Sequence, residues 1–257
     1  MNNTPLLEVE RLTHIYRRGR KEETLALDQL SFSLGPGLYG LLGPNGAGKS
    51  TLLNIITCSL TPTSGRVRWN GSTISPLRTG FRRELGYMPQ QQTLYDTFTG
   101  YRFLAYLCAL KELPAKQIPA EVERAAALVN LSGELTKRLS AYSGGMKQRL
   151  LAAGAILGDP RLLIFDEPTA GLDPKERVRF RRMVKALSEN RMVVIATHVV
   201  SDVEQVADGI LLLKKGRLVC SGSPEQLIET YLGQDGSLEK VYLKIFGDEA
   251  DVESDSA

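Results

Sequence analysis

The chain is poor in residues that would place it in several common classes. Its three cysteines, Cys58, Cys108 and Cys220, stand far apart, so they offer neither a disulfide framework nor the paired spacing of a zinc site. The two histidines, His14 and His198, have no cysteine or second histidine close by in sequence, which argues against metal ligation. Long apolar runs are also missing. The most apolar stretch, Leu150 to Gly158, is about half of the 18 or more residues that a spanning helix requires, so the chain is not expected to cross a bilayer by itself. Met1-Asn2-Asn3-Thr4-Pro5 has no basic flank running into an apolar stretch, and no secretory signal is expected. Neither sign of charge dominates. Thirty-two basic residues against 29 acidic ones leave +3, and their interspersion gives no pointer to nucleic acid. The densest basic groups, Arg17-Arg18-Gly19-Arg20-Lys21 and Arg177 to Lys185, read first as solvated surface, with anionic lipid or RNA as the alternative.

What is present suffices for a substantial core. A chain of 257 residues with 42% hydrophobic content fits one large domain or two closely packed subdomains, folded without disulfides. Up to about residue 85 the pattern is one of strands and turns. Leu7 and Val9 alternate with Glu8 and Glu10, and Val67-Arg68-Trp69 runs into Asn70-Gly71, a hairpin signal because both turn residues tolerate positive φ. A mostly antiparallel β element is expected there. From about 95 to 150 the period changes: Phe103, Leu104, Leu107 and Leu110 recur at helical spacing, and Val122, Ala125, Ala126 and Val129 repeat it after Pro114 and Pro119. Strand and helix alternation then returns, with Leu162 to Phe165 and Met192 to Ala196 as the short apolar runs of buried parallel strands. The expected fold class is α/β, with helices on both faces of the sheet. Beyond Gly222 the pattern weakens, and the acidic end from Gly247 to Ala257 reads as a frayed tail.

The chemistry concentrates in the run Gly43-Pro44-Asn45-Gly46-Ala47-Gly48-Lys49-Ser50-Thr51. A triphosphate needs several donors converging on its oxygens, and glycines let backbone N–H groups approach without side-chain clash. Leu38-Tyr39-Gly40-Leu41-Leu42 supplies the preceding strand and Ser50 to Thr57 begins the following helix, the context a P-loop requires. Lys49 is placed to reach the β and γ phosphates of ATP, and Ser50 to hold Mg²⁺. The second part is Leu162-Leu163-Ile164-Phe165-Asp166-Glu167, an apolar strand that ends in two carboxylates where a parallel sheet collects its ligands. Asp166 would orient the Mg²⁺ shell, while Glu167 would polarise the attacking water. His198 ends a further strand, from which it is placed to reach the γ phosphate. A structural role is the plainer reading of a lone histidine, and its place at a sheet strand's end weighs against that reading.

Taken together, residues 6 to 233 resemble the ATP-binding-cassette (ABC) ATPase family. The most specific element is Tyr142-Ser143-Gly144-Gly145-Met146-Lys147-Gln148-Arg149, similar to the signature that separates this family from other P-loop enzymes. The resemblance implies a nucleotide-binding core (6–90 and 151–222), an inserted α-helical subdomain (91–150) carrying the signature, an N-terminal antiparallel β subdomain, and an extension (234–257), the positions beyond about 225 resembling the short helical tail of exporter cassettes. It implies that Gln90 senses Mg²⁺ and the γ phosphate, that Tyr16 stacks on adenine, that Asp173 lies in the loop crossing a dimer interface, and that His198 is the switch histidine. It also implies a head-to-tail dimer, with a second copy or a related ATPase, in which Ser143, Gly144 and Gly145 complete the nucleotide site of the other chain. Leu94, Tyr95, Phe98 and Tyr101 would receive a helix of a separate transmembrane permease at the cytoplasmic face of the membrane. Tyr142 replaces the usual leucine and Met146 the commonest glutamine; with Thr197-His198-Val199-Val200-Ser201-Asp202-Val203-Glu204, these departures resemble cassettes that power exporters of small molecules, antibiotics, peptides or lipids. An importer ATPase, or a soluble cassette acting on ribosomes or DNA, is the alternative. No stable nucleic-acid partner is expected.

Overall fold

Alternating apolar residues in the first part of the chain build a four-stranded antiparallel sheet. In the computed structural model, which describes residues 6–18, 22–74, 79–91, 94–233 and 236–250, this sheet begins with β1 (Leu7–Arg18) and β2 (Glu22–Leu34). The chain then enters the second sheet through β3 (Gly37–Leu42) and helix α1 (Lys49–Ile56). It returns to the first sheet as β4 (Ser64–Trp69) and β5 (Ser72–Thr73), and the order there is β2-β1-β4-β5. Asn70 and Gly71 turn β4 into β5 with φ of 51° and 74°, the left-handed pair that a two-residue hairpin favours.

Helix α2 (Thr79–Glu84) and strand β6 (Leu85–Met88) lead to a helical insertion of α3 (Gly100–Leu110), α4 (Ile118–Leu128) and α5 (Gly144–Ile156). The chain goes on through β7 (Leu162–Asp166), α6 (Pro174–Ser188), β8 (Met192–Thr197), β9 (Gly209–Lys214), β10 (Arg217–Gly222), α7 (Pro224–Leu232) and α8 (Leu238–Ala250). The second sheet has six strands in the order β10-β9-β3-β8-β7-β6. All its pairs are parallel except β9 with β10.

Strand periodicity divides the interior into two cores. Leu163, Phe165, Val193 and Ile195 join the helices α3, α4, α5 and α6 on one face. Their sequence neighbours Leu162, Ile164, Met192 and Val194 point the other way, onto α1 and the antiparallel sheet. Both faces are therefore apolar, which is why these strands read as continuous hydrophobic runs. The stretch from Leu150 is the interior half of α5, buried all round from Leu150 to Ile156, as a helix sunk into a core should be. Among the described residues no helix is long and apolar enough to cross a membrane.

The weak pattern beyond Gly222 and the frayed end from Gly247 need correction. Ser223 and Gln226 form a reciprocal capping box that starts α7, a signal legible as Ser-x-x-Gln. Helix α8 runs through Gly247 to Ala250; the tail residues 251–257 lie outside the described residues, as do Gly19, Arg20 and Lys21. The basic group on α6 is a surface face with local partners. Arg179 pairs with Glu176 at 2.6 Å, Arg181 donates to the Ser201 carbonyl at 2.9 Å, and Lys185 pairs with Asp208 at 2.6 Å.

Candidate functional site

The P-loop is shaped by close approach of backbone to backbone. A Cβ on Gly43 would stand 2.4 Å from the Leu213 carbonyl oxygen, and one on Gly48, at φ +103°, would stand 2.6 Å from that of Ala26. Only glycine fits these two places. Lys49 opens α1, is 7% exposed, and turns its ammonium back onto the Gly43 and Pro44 carbonyls at 2.5 and 3.1 Å. Burial lowers its pKa, while the charges of Glu167 and Asp166 oppose that shift. Its carbonyl partners hold the cation inside the loop, on the wall of the cavity.

Around this loop lies a cavity of about 290 Å³, lined by Tyr16, Asn45, Gly46, Gly48, Lys49, Ser50, Thr51, Gln90, Asp166 and Glu167, with Thr24, Leu25 and Ala26 completing one wall. The Tyr16 hydroxyl is 3.3 Å from Thr51 Oγ1, and the Tyr16 ring meets His14 edge-on at 4.6 Å between centroids. Sequence patterns did not single out Thr24 to Ala26. They enter because the β1–β2 register sets Thr24 opposite Tyr16 and Leu25 opposite Ile15, and register is a tertiary fact. A larger open depression of about 680 Å³, on Glu10, Arg11, Thr13, Asp28, Gln29, Ser64, Gly65 and Arg66, shares no residue with this cavity.

Two adjacent carboxylates close the cavity. Burial pushes Asp166 up to about 6, with the charge of Glu167 adding to the rise and Lys49 opposing it. Glu167 sits at φ 48°, a left-handed conformation that costs a non-glycine residue roughly 1–2 kcal/mol. Three donors hold it there: Thr197 Oγ1 at 3.1 Å on Oε2, and the His198 N–H at 3.1 Å and imidazole Nδ1 at 2.8 Å on Oε1. A carboxylate only accepts, so Nδ1 is the donor and Nε2 is turned away from this pair.

Two links that sequence reasoning missed tie this corner to the rest. Gln148, on the signature helix, donates to the Glu167 carbonyl at 3.1 Å; it was visible in the signature but without a geometric role. Thr169 donates to Asp202 in a fully buried pair, joining the turn after Glu167 to the short 3₁₀ turn Val200–Asp202. No sequence signal marks a pair 33 residues apart.

The remaining predicted residues are elsewhere. Ser143 and Gly144 are exposed and Gly145 is half-buried. None of the three lines the cavity. Ser143 caps α5 by accepting from the Met146 N–H at 3.2 Å. Asp173 is exposed and caps α6 by accepting from the Glu176 N–H at 2.8 Å. Tyr142 is buried, and its hydroxyl donates to the Glu134 carbonyl at 2.8 Å. It is accommodated by Gly100, where a Cβ would lie 2.2 Å from that hydroxyl. Tyr95, Phe98 and Tyr106 form a surface aromatic cluster with centroids 5.0 to 6.3 Å apart, capped by Arg102 over Phe98 at 4.2 Å.

A parallel sheet that delivers a glycine loop, a buried lysine and a carboxylate pair to one cavity defines a P-loop nucleoside-triphosphate hydrolase. The ABC transporter family profile matches residues 27–170. An uncharacterized ABC transporter ATP-binding protein of Nostoc is 34% identical over 249 residues, covering 92% of this chain and 74% of that one. The structure of a bacterial Atm1-family ABC exporter with ATP bound superposes with a TM-score of 0.80 at 26% identity, covering 95% of this chain and 42% of that one. The dimeric structure of a bacterial ABC transporter cassette gives 0.78 at 25% identity over 84% of this chain and 98% of that one. The chain belongs to the ABC transporter family, as an ATP-binding and ATP-hydrolysing protein.

Proposed function

We propose that the chain is the ATPase subunit of an exporter, working as a head-to-tail dimer beneath a separate permease at the cytoplasmic face of the membrane. The observation that carries this reading is the split of the predicted site. Lys49, Ser50, Gln90, Asp166 and Glu167 share one cavity, whereas Ser143 and Gly144 face solvent at the start of α5. A helix start with exposed N–H groups is an anion site awaiting its anion. Its own chain's nucleotide is held elsewhere, so the γ phosphate it receives belongs to a second chain, as in the dimeric cassette that the fold resembles.

ATP is bound by Tyr16 against adenine and by the 43–51 loop around the phosphates. Lys49 neutralises charge on the β and γ phosphates, and its buried position makes that charge effective. The residues present fit Mg²⁺: two adjacent carboxylates stand beside a hydroxyl, and Asp166 is destabilised as an anion by burial and by Glu167. Ser50, Asp166 and Gln90 would hold it, and when bound it neutralises phosphate charge. In the present geometry Glu167 accepts from Thr197 and twice from His198. For hydrolysis, Glu167 turns from the imidazole to the attacking water, and His198 turns to the γ phosphate. Loss of that phosphate weakens closure of the dimer. The helical region 91–150 is the moving part, with α5 carrying its motion across residue 150 into the core, and Leu94, Tyr95, Phe98 and Tyr101 receive the permease. The export direction is supported by Tyr142 and Met146 in the signature and by the likeness to an exporter.

The test is Glu167→Gln. ATP binding is expected to persist within about threefold while kcat falls by about 10²–10³-fold. Turnover at the native rate would remove Glu167 from the reaction.

A further inference from the structure

Helix α8 lies past every motif of the proposed site, yet it is not a loose extension. Leu238 and Val241 are fully buried and Phe246 is 5% exposed. These residues, with Tyr242 and Ile245, pack in the same cluster as Val200 and Val203. Polar contacts fix the helix at both ends: the Leu238 N–H donates to Glu204 Oε1 at 2.6 Å, and Lys214 donates to the Ile245 carbonyl at 2.8 Å. The Lys214 ammonium also lies 5.5 Å from the Phe246 ring centroid. Tyr242 packs on Phe246 at 4.5 Å between centroids. It is near enough to Glu167 for that carboxylate to raise the phenol's pKa, behind the larger effect of burial.

The segment 198–204 is thus held from two sides. On one, His198 binds Glu167 through its backbone N–H and its imidazole, and Asp202 accepts from Thr169. Asp202 Oδ1 has no hydrogen-bond partner although it is buried, so the turn is not held by a saturated polar network. On the other side lies α8. A three-residue 3₁₀ turn has little stability of its own; where it stands is decided by what packs on it. Because the His198 N–H holds Glu167 Oε1, a small displacement of this turn shifts the position from which the carboxylate swings to the attacking water. Misplacement of this kind, from a residue that touches no reacting atom, is enough to slow chemistry.

We propose that α8 positions the Glu167–His198 pair through its packing on the turn Val200–Asp202 and the Leu238 bond to Glu204, and that Tyr242, packed in the same cluster, is the side chain whose loss reads this out. The proposal rests on the assignment of Glu167 and His198 to hydrolysis. It makes the C-terminal helix a control point, since anything that lifts α8 slows turnover without touching the nucleotide pocket.

The chain has two histidines, so the imidazole proton resonances report separately on His14 and His198, assigned with His14→Gln. Tyr242→Ala in the full chain is expected to lower kcat on the order of 10-fold and to leave KM for ATP within about twofold. The His198 resonance should shift while that of His14 stays. Tyr242→Leu, which keeps most of the packing volume, should show the same pattern more weakly and guards against a variant that fails to fold. Leu243→Ala, at a residue 57% exposed on the same helix, should match the native chain in every readout. Native kcat with an unmoved His198 resonance in Tyr242→Ala would overturn the proposal. So would both resonances and KM changing together in Tyr242→Leu, which marks general loosening. Native turnover in Glu167→Gln removes the underlying reading and the proposal with it, a result distinguishable from the first because it leaves the His198 shift in place.

Discussion

The nucleotide cavity and the signature face are built from the same materials, glycines and a helix start, but they end in different states. At the cavity, the loop, α1, the end of β7 and one wall of the antiparallel sheet converge, and Lys49, Asp166 and Glu167 are buried together. At the signature, Ser143 and Gly144 open onto solvent, and the Ser143 side chain caps its own helix. The first region gathers its side chains within its own fold. The second is a half-site whose fold supplies donors and no ligand. On the proposed reading, the difference makes the catalytic unit larger than the chain.

The largest expected effect falls on the cavity side. Lys49→Ala should weaken ATP binding by roughly 100-fold, measured by equilibrium titration, because a buried cation facing two phosphates is lost. Native affinity would mean that the loop backbone carries the phosphates alone. A smaller effect is expected from Tyr16→Ala, about 10-fold in ATP affinity with kcat preserved, from the loss of one stacking surface. An ATP affinity unchanged by the substitution would contradict an adenine contact at Tyr16.

The smallest effect lies where the helical insertion is fastened to the core, distant from both half-sites. Lys111 donates to the carbonyls of Leu157 and Leu85 at 2.6 and 3.4 Å, and burial lowers its pKa to about 8 from the ordinary lysine value of 10.5. Between these two pH values the unfolded chain binds more protons than the folded one, so the Lys111 contribution to stability rises with pH across that window. Urea unfolding of the native chain against Lys111→Met should therefore diverge in favour of the native chain from pH 7.5 to 9.5, by on the order of 1 kcal/mol. A difference independent of pH would show that the ammonium stays charged.

The sequence was most readable where one local pattern forces one geometry. The loop 43–51 needs its glycines because the Leu213 and Ala26 backbones press on them, and Asn70-Gly71 forms its hairpin with the φ angles that only such pairs adopt readily. Apolar runs at β7 and β8 were legible because both of their faces are buried. What stayed hidden depends on distant partners. Tyr142 read only as a departure from the family pattern, yet its hydroxyl bonds Glu134 in a space left by Gly100. Thr169 with Asp202, and Thr24 opposite Tyr16, are brought together by sheet register and by connections between strands. The hold of α8 on the core stayed hidden as well, because it comes through Val200 and Val203, some forty residues earlier.

Mixing two disabled chains tests the composite site most directly. Lys49→Ala chains keep a working signature, and Ser143→Arg chains keep a working cavity, so each alone should hydrolyse ATP at a few per cent of the native rate or less. In a mixture at equal concentrations, half of the dimers carry one intact site, made from Lys49 of one chain and Ser143 of the other, and turnover should recover to roughly a quarter of the native rate. Native-like turnover by Ser143→Arg alone, or a mixture no more active than its components, would contradict the account.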